Sequence, residues 1–468
     1  MGLGRMRSGR ENMDSYDQEF VIVGAGIAGL TLALLLHRME KQLVLVEKRP
    51  RDAFLDEELR SINFTLTARG LATLQRLGLR DRVLEKAVRL NHRVVHHRHG
   101  GFVVQRYGSC ASHAIYSIRR KALLQILQEE VDALSGVSVL YGAVVSSVDC
   151  NSGAVIYVRE GRDHVMRART IFAADGVFSQ VRSSFLQQNS VYGRLQDFPW
   201  RYMEMHGDKE FVAALQLRLN AVHVWPGEGA LLVGIPNPDG TVALMFLSDA
   251  IQESNRKRFV EIFSTHFPHV PMTSTMTTQL QEVPLGRLVT GSLSRWSHED
   301  RVVFVGDACH AVLPFYGQGM NAALEDCFVL CDLLDQEASR AQAFAAYEAR
   351  RRPQTNALAI LSQAHFDNLQ PGSHSLRWQA GTLMDLLLAH LTAGTWFHEY
   401  EKIAHTNIPF DLILNRLKFQ KTLKRRSGLW LLEVGLRVFI SLSRLLRSQL
   451  WKHPRSLSRV TTSTPSPR

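Results

Sequence analysis

The residues with the widest chemical reach run from Gly306-Asp307-Ala308-Cys309-His310 through Pro314-Phe315-Tyr316-Gly317-Gln318-Gly319-Met320-Asn321 to Glu325-Asp326. A carboxylate at Asp307 can accept hydrogen bonds from a polyol. Gly306 and Gly319 let backbone N–H groups come close to a ligand. A helix opening near Met320 and Asn321 aims a positive dipole end at the same place, which suits negative charge. Together these features suit the holding of a flavin by its ribityl arm and the stabilising of negative charge on its reduced ring. Such a turn needs a rigid carrier, and Val302-Val303-Phe304-Val305 supplies one, a short apolar run of the kind that fills a buried parallel strand.

A second constellation lies near the N-terminus. Phe20-Val21-Ile22-Val23 reads as a buried strand, Gly24-Ala25-Gly26-Ile27-Ala28-Gly29 opens a helix from Leu30 to His37, and a second strand, Leu43 to Val46, ends in Glu47. Strand, glycine turn, helix, strand and acid in that order form the dinucleotide fingerprint. Gly24 serves the tight turn, Gly26 the approach of backbone to a pyrophosphate, Gly29 close helix–strand packing, and Glu47 the ribose hydroxyls.

At 468 residues and 45% hydrophobic, the chain can bury a large core in two or three domains. Its five cysteines form no Cys-x-x-Cys pair, so neither a zinc site nor a disulfide framework is indicated, and a reducing compartment is expected. The net charge of +11 is local: residues 415–468 hold 13 Lys and Arg against one acid, Glu433, leaving about −1 for the rest. No recognition helix or aromatic-studded basic sheet accompanies it, which excludes a nucleic-acid reading. The basic tail has a pattern of its own. Lys424-Arg425-Arg426 precedes an apolar segment, Leu429 to Leu446, with Glu433, Arg437, Ser441 and Arg444 on one narrow stripe. That pattern predicts a membrane-associating helix over residues 428–450, followed by a disordered tail, 451–468. Residues 1–16 lack a signal-peptide core and read as a flexible leader.

Along the chain, the expected fold is α/β. A Rossmann-like FAD-binding domain spans residues 17–65, 105–190 and 285–345. A substrate domain built on an antiparallel β-sheet spans 66–104 and 191–284, and a helical C-terminal region spans 346–427. A helix is expected from Thr67 to Leu77, and within the first domain another from Ala122 to Leu134. Val137 to Tyr141, Val144 to Val148 and Ala154 to Val158 read as a small meander, and Ile171 to Ala174 as a buried strand ending at Asp175-Gly176. In the second domain strands are expected at Phe211–Leu219, Val222–Trp225, Ala230–Ile235 and Thr241–Leu247.

The linked motifs resemble the single-component FAD-dependent aromatic hydroxylases. They are Gly24-x-Gly26-x-x-Gly29 with Glu47, Arg120 ahead of its helix, Asp175-Gly176-x-x-Ser179-x-Val181-Arg182, and Gly306-Asp307 with the Pro314 to Gly319 turn. Within that class, Arg60-Ser61-Ile62-Asn63 and the Pro314 to Cys327 stretch are most similar to the kynurenine 3-monooxygenase family. The resemblance implies FAD held by Gly24, Gly26, Gly29, Glu47, Arg120, Asp175, Gly306, Asp307, Gly319, Met320 and Asn321. It makes Pro314, Phe315 and Gln318 the candidate catalytic positions. It places a carboxylate grip at Arg93 and Tyr107, an apolar wall at Phe246, Pro314 and Phe315, and a further tyrosine at Tyr400. The family's Asn facing the polar end of the substrate falls on His365 and a neighbouring acid on Asn368, two departures from its pattern. The apolar basic C-terminus is similar to that of members attached to the mitochondrial outer membrane facing the cytosol.

The resemblance implies a cycle in which NADPH reduces FAD, reduced flavin takes up oxygen, and the flavin hydroperoxide hydroxylates an aromatic ring, kynurenine giving 3-hydroxykynurenine. The cofactor carries that step, which accounts for the lack of a Ser-His-Asp or metal constellation. NADPH is a transient co-substrate in this class, and no second glycine-rich strand–helix unit is present: Gly227-x-Gly229 leads into strand residues. His92, His96, His97 and His99 lie on a strand with no acid or Cys, so a solvated surface cluster is expected rather than a metal site. His310 and Cys309 are expected to pack beneath the flavin turn. Alternatives are hydroxylation of another aromatic, a quinone precursor or a phenol, or a non-catalytic flavoprotein at a membrane. A flavin halogenase is disfavoured, because its Trp-x-Trp-x-Ile-Pro motif is reduced to Trp225-Pro226.

Overall fold

The computed structural model describes residues 16–52, 63–98, 100–108, 110, 112–369, 376–392, 395–426 and 434–435. Nearly all of the leader, Arg60 to Ile62, His99, nearly all of 428–450 and the tail lie outside them.

The strand Gln18–Val23, β-branched over Val21-Ile22-Val23, sits at the centre of a sheet, paired in parallel with Leu43–Glu47 on one side and Arg162–Ala173 on the other. Val302–Phe304 adds in parallel beyond Arg162–Ala173, and Val137–Tyr141 beyond Leu43–Glu47. Val137–Tyr141 is therefore a strand of the nucleotide sheet and not of the meander, which is completed instead by Arg162–Ala173 pairing with Ala154–Arg159 and that strand with Val144–Val148. Helix Ile27–His37 is buried continuously from Gly29 to Leu36, because helices Arg120–Asp132 and Gly319–Gln336 flank it on the sheet. A helix apolar on every side is one enclosed on every side. The two motif-bearing turns, after Val23 and after Val305, thus emerge at the carboxyl ends of parallel strands, where ligands bind in open α/β sheets.

The second sheet has seven strands in the order Gly286–Leu293, Gly193–Gly207, Val242–Ser248, Ala230–Pro236, Ala221–Gly227, His92–His96, Phe102–Arg106. It is antiparallel except where Ala221–Gly227 meets His92–His96. Its longest strand, Gly193–Gly207, is polar and exposed in its first half and buries Trp200, Met203 and Met205 in its second. The strand expected over Phe211–Leu219 is instead a short helix, Lys209–Ala214. The Asp208 carboxylate caps it by accepting from the Phe211 N–H, and Gln216, at φ 49°, ends the local turn. Helices Phe259–His266 and Ser274–Glu282 contribute Phe263, Met276 and Leu280 to a core with Phe267, Phe246 and Leu232 on one face of this sheet.

The segment assigned to the substrate domain as 66–104 divides between the two layers. Asn63–Leu66, Ile115–Arg119 and Ala87–Leu90 form a three-stranded antiparallel sheet. Helix Ala68–Arg76 packs on Gly319–Gln336, and Leu74, Leu77 and Val83 join the nucleotide-domain core. Only His92–His96 and Phe102–Arg106 enter the seven-stranded sheet. The C-terminal region is helical, as expected: Arg340–Leu369, Leu376–Leu391, Glu399–His405 and Phe410–Arg426. Among the described residues, no helix is long and apolar enough to cross a membrane.

Candidate active site

A cavity of about 400 Å³ opens between the two sheets. One lobe is lined by backbone and small side chains of the nucleotide domain: Gly26, Ile27 and Ala28, then Ala174 and Gly176, and Val305, Asp307, Gly319 and Met320. The other is lined by Arg93, Tyr107, His365 and Tyr400 with an apolar wall from Val222, Val224, Val233, Ile235 and Met245. Pro314, Phe315, Tyr316 and Gly317 line it as well.

In the first lobe the glycine turn is built for close approach. A Cβ on Gly29 would sit 1.9 Å from the Gly24 carbonyl oxygen, so helix and strand meet there because there is no side chain. A Cβ on Gly26 would meet nothing within 4 Å, so the turn faces open space at the N-terminus of Ile27–His37. That is the cradle a pyrophosphate needs. Asp307 lines the same lobe with an exposed side chain. Arg120 begins its helix on the same lobe. These residues fit FAD.

Other residues assigned to the cofactor act at one remove. Glu47 does not line the cavity. Its Oε2 accepts from the Ala25 N–H at 2.9 Å and its Oε1 from Arg49 N and Nε, at 2.9 and 2.8 Å. Burial pushes this carboxyl up, but the Arg49 and Ala25 donors outweigh it and its pKa ends below the ordinary value. Asp175 caps helix Gln180–Gln188, its Oδ2 accepting from Gln180 N and Val181 N. Its neighbour Gly176 lines the cavity instead. Asn321 is a staple: it accepts from Thr67 N at 2.9 Å and donates to the carbonyls of Thr65 and Gly317 at 2.8 and 2.9 Å. It thereby ties the Pro314–Gly319 turn to strand Asn63–Leu66.

Two further expectations are corrected. Gln318 is buried away from the cavity, its Oε1 accepting from the Thr67 hydroxyl, so it supports the turn and is not positioned for chemistry. Phe246 is fully buried on the opposite face of its strand, against Phe263 and Phe267. The adjacent Met245 faces the cavity, as period-two alternation requires. The alternating pairs Val222/Val224 and Val233/Ile235 carry the same signal for the wall.

The second lobe brings Arg93, Tyr107, His365 and Tyr400 together. Arg93 donates from Nε and one terminal nitrogen to Gln105 Oε1 at 3.2 and 3.0 Å, and from the other terminal nitrogen to His365 Nε2 at 3.3 Å. An arginine only donates, so His365 accepts there and carries its proton on Nδ1. Burial, with Arg93 beside it, holds the His365 pKa well below the usual histidine range. Tyr107 stacks on Tyr400 at 4.8 Å, Tyr316 stacks on His365 at 4.1 Å, and the Tyr316 hydroxyl donates to Glu399. Asn368 is half-buried and does not line the cavity.

The histidine strand is less solvated than expected. His96 stacks flat on Trp225 at 4.3 Å and bonds His223 at 3.0 Å, on the sheet face away from Arg93. Among the described residues, no group of three or more His, Cys, Asp or Glu side chains could hold a metal. Cys309 and His310 are buried beneath the turn, and burial pushes the Cys309 thiol well up.

The FAD binding domain family matches residues 17–362. A kynurenine 3-monooxygenase from Salinispora arenicola is 38% identical over 439 residues, covering 91% of this chain and 96% of that protein. The chain belongs to the FAD-dependent aromatic monooxygenases, in the kynurenine 3-monooxygenase family. Another such enzyme, from Xanthomonas oryzae pv. oryzae, is 32% identical over 75% of this chain and 79% of its own length. Among solved structures, 2-methyl-3-hydroxypyridine-5-carboxylic acid oxygenase superposes with a TM-score of 0.65 at 21% identity, covering 83% of this chain and 95% of that one. The p-nitrophenol 4-monooxygenase of Pseudomonas putida gives 0.65 at 17% identity, covering 86% and 98%. These last two share the monooxygenase fold.

Proposed function

We propose that this monooxygenase hydroxylates L-kynurenine, or a close aryl amino acid, to its 3-hydroxy product, with NADPH as reductant. The observation that carries the reading is Arg93. Among the described residues, three of its five N–H groups go to Gln105 and His365, leaving one on each terminal nitrogen at the end of an apolar slot. That fork suits a carboxylate. The names of the curated relatives favour the same substrate.

When bound, FAD passes electrons from the nicotinamide to oxygen and supplies the oxygen atom placed on the ring. The protein's part is to bind, orient and keep dry. The Gly26 turn and the start of helix Ile27–His37 would hold the pyrophosphate, Asp307 the polyol arm, and the Gly319–Met320 helix start the charged ring. Arg93 holds the substrate's acid. Tyr107 and Tyr400 stack beside it, and Val222, Val224, Val233, Ile235 and Met245 exclude water from the ring.

Purified chain should turn yellow with FAD, consume NADPH faster when kynurenine is added, and release a hydroxylated product. Stimulation by neutral phenols with none by kynurenine would overturn the substrate assignment in favour of another aromatic. We infer, from the sequence of 428–450, that the chain associates with a membrane surface, the mitochondrial outer membrane facing the cytosol being the expected site. Sedimentation with anionic vesicles, full chain against residues 1–427, tests this; equal recovery would overturn it.

A further inference from the structure

The strongest feature outside the cavity is a buried ionic chain behind the Gly306–His310 turn. Glu325 and Asp326 are adjacent on helix Gly319–Gln336, among Ala322, Leu324, Cys327 and Leu330. Asp326 is wholly buried, and both its oxygens are used. Oδ2 accepts from the Gly306 N–H at 3.1 Å and from His310 Nε2 at 2.5 Å, and Oδ1 accepts from Arg351 Nε at 2.7 Å. Arg351, also fully buried, reaches Glu325 at 2.6 Å, and Glu325 reaches Arg69 at 3.0 Å. Two carboxylates thus face two guanidinium groups.

Charge balance explains why the chain survives burial but not why it exists. Apolar residues of the same shape generally stabilise a core as well as a buried ion pair does. What an apolar residue cannot do is accept a hydrogen bond from Gly306. That N–H opens a turn whose first residue has φ 61° and ψ −141°, a conformation L side chains rarely adopt. The next residue is Asp307, which lines the cavity. The turn is held from the other side by Arg182, which donates to the Ala308 carbonyl at 2.8 Å.

We propose that Asp326 is a positioning residue for the cofactor. Its Oδ2 fixes Gly306 and His310, and so fixes where the Asp307 carboxylate meets the polyol arm of FAD. His310 and Arg351 keep Asp326 ionised, and Glu325 holds Arg351 in place. The proposal rests on FAD occupying the first lobe.

Two charge-balanced variants of the full chain test it. D326L/R351M removes the acceptor and its counter-charge together. D326N/R351M restores one acceptor oxygen in the same shape. FAD affinity is read by quenching of flavin fluorescence during titration of the apoprotein, the setting of the bound flavin by visible circular dichroism, and the fold by apoprotein melting. The leucine variant should bind FAD at least about tenfold more weakly, with an altered flavin dichroism. The asparagine variant should recover to within about threefold of wild type. Wild-type affinity in the leucine variant would overturn the proposal. So would equal losses in both variants. If the leucine variant does not fold, the asparagine variant decides alone, and a loss of about tenfold there overturns it. Wild-type FAD uptake is measured first; its failure would overturn the cofactor assignment itself, whereas loss confined to the variants bears on Asp326.

Discussion

Tyr107, at the end of strand Phe102–Arg106, and Tyr400 stack ring on ring, 4.8 Å apart at 23°. Burial pushes Tyr400 up to about 12 and Tyr107 well up, so both phenols stay protonated at neutral pH. The contact joins the seven-stranded sheet to helix Glu399–His405 across the substrate lobe. A stacked aromatic pair contributes about 1 kcal/mol beyond its buried area. Tyr400→Phe keeps the ring and should change KM for the aromatic substrate less than about threefold. Tyr400→Ala removes it and should raise KM about tenfold, with a smaller effect on the rate of FAD reduction in its absence. Steady-state kinetics on the two variants separates the outcomes.

Arg93 carries the larger charge-assisted interaction. A hydrogen bond to a charged group is worth about 1.5–3 kcal/mol. Arg93→Ala should therefore raise KM for kynurenine by about tenfold to a hundredfold. Arg93→Lys keeps charge but loses the fork, and should fall between. An unchanged KM in Arg93→Ala, with turnover intact, would point to an uncharged substrate.

The glycine turn offers a paired test of cofactor placement. Gly29→Ala sets a Cβ 1.9 Å from the Gly24 carbonyl oxygen, backbone against backbone, so helix and strand must separate. Its apoprotein should melt well below wild type. Gly26→Ala meets no atom of the protein within 4 Å and should fold normally. It should nonetheless lose FAD affinity, because the methyl group enters the space reserved for the phosphates. Melting of both apoproteins and FAD titration of the second distinguish a structural glycine from a ligand-facing one.

The contrast between those glycines shows where the sequence is legible. The fingerprint turn, the Gly306–Asp307 turn and the parallel strands behind them follow local rules, and each lies where its motif places it. Phe246 illustrates the opposite case. On a strand covered on both faces, apolar residues at 245 and 246 are equivalent in sequence, and only the helices packed against one face decide that Met245 meets the cavity. Gln318 and Asn321 sit in the right motifs, yet their side chains bond groups that tertiary packing delivers from residues 65–67, while Asp175 turns to the start of the helix just after it, at 180–181. Arg93 could be placed only through family resemblance, since its partner His365 lies 272 residues away.

His96 gives the last prediction, one of pH. His223 Nε2 lies 3.0 Å from the Arg218 carbonyl and must donate to it, which leaves His223 Nδ1 to accept from His96 Nε2. Burial lowers both pKa values and keeps the two rings neutral in the folded chain at neutral pH. Burial first, then the neighbouring His223 and His97, lower His96 to about 3. In the unfolded chain it titrates near about 6.5, so below that pH the unfolded state binds more protons than the folded one. The stability this neutral ring contributes is full above about pH 6.5 and is lost as pH falls from there toward about 3. Wild-type melting temperature should thus drop between about pH 7 and 5. His96→Gln cannot titrate. It loses the stack on Trp225 and should melt lower at neutral pH, but its further drop on acidification should be smaller, His223 supplying what remains. Parallel melting curves for the two proteins across that range would show that the folded His96 takes up its proton as readily as the unfolded one.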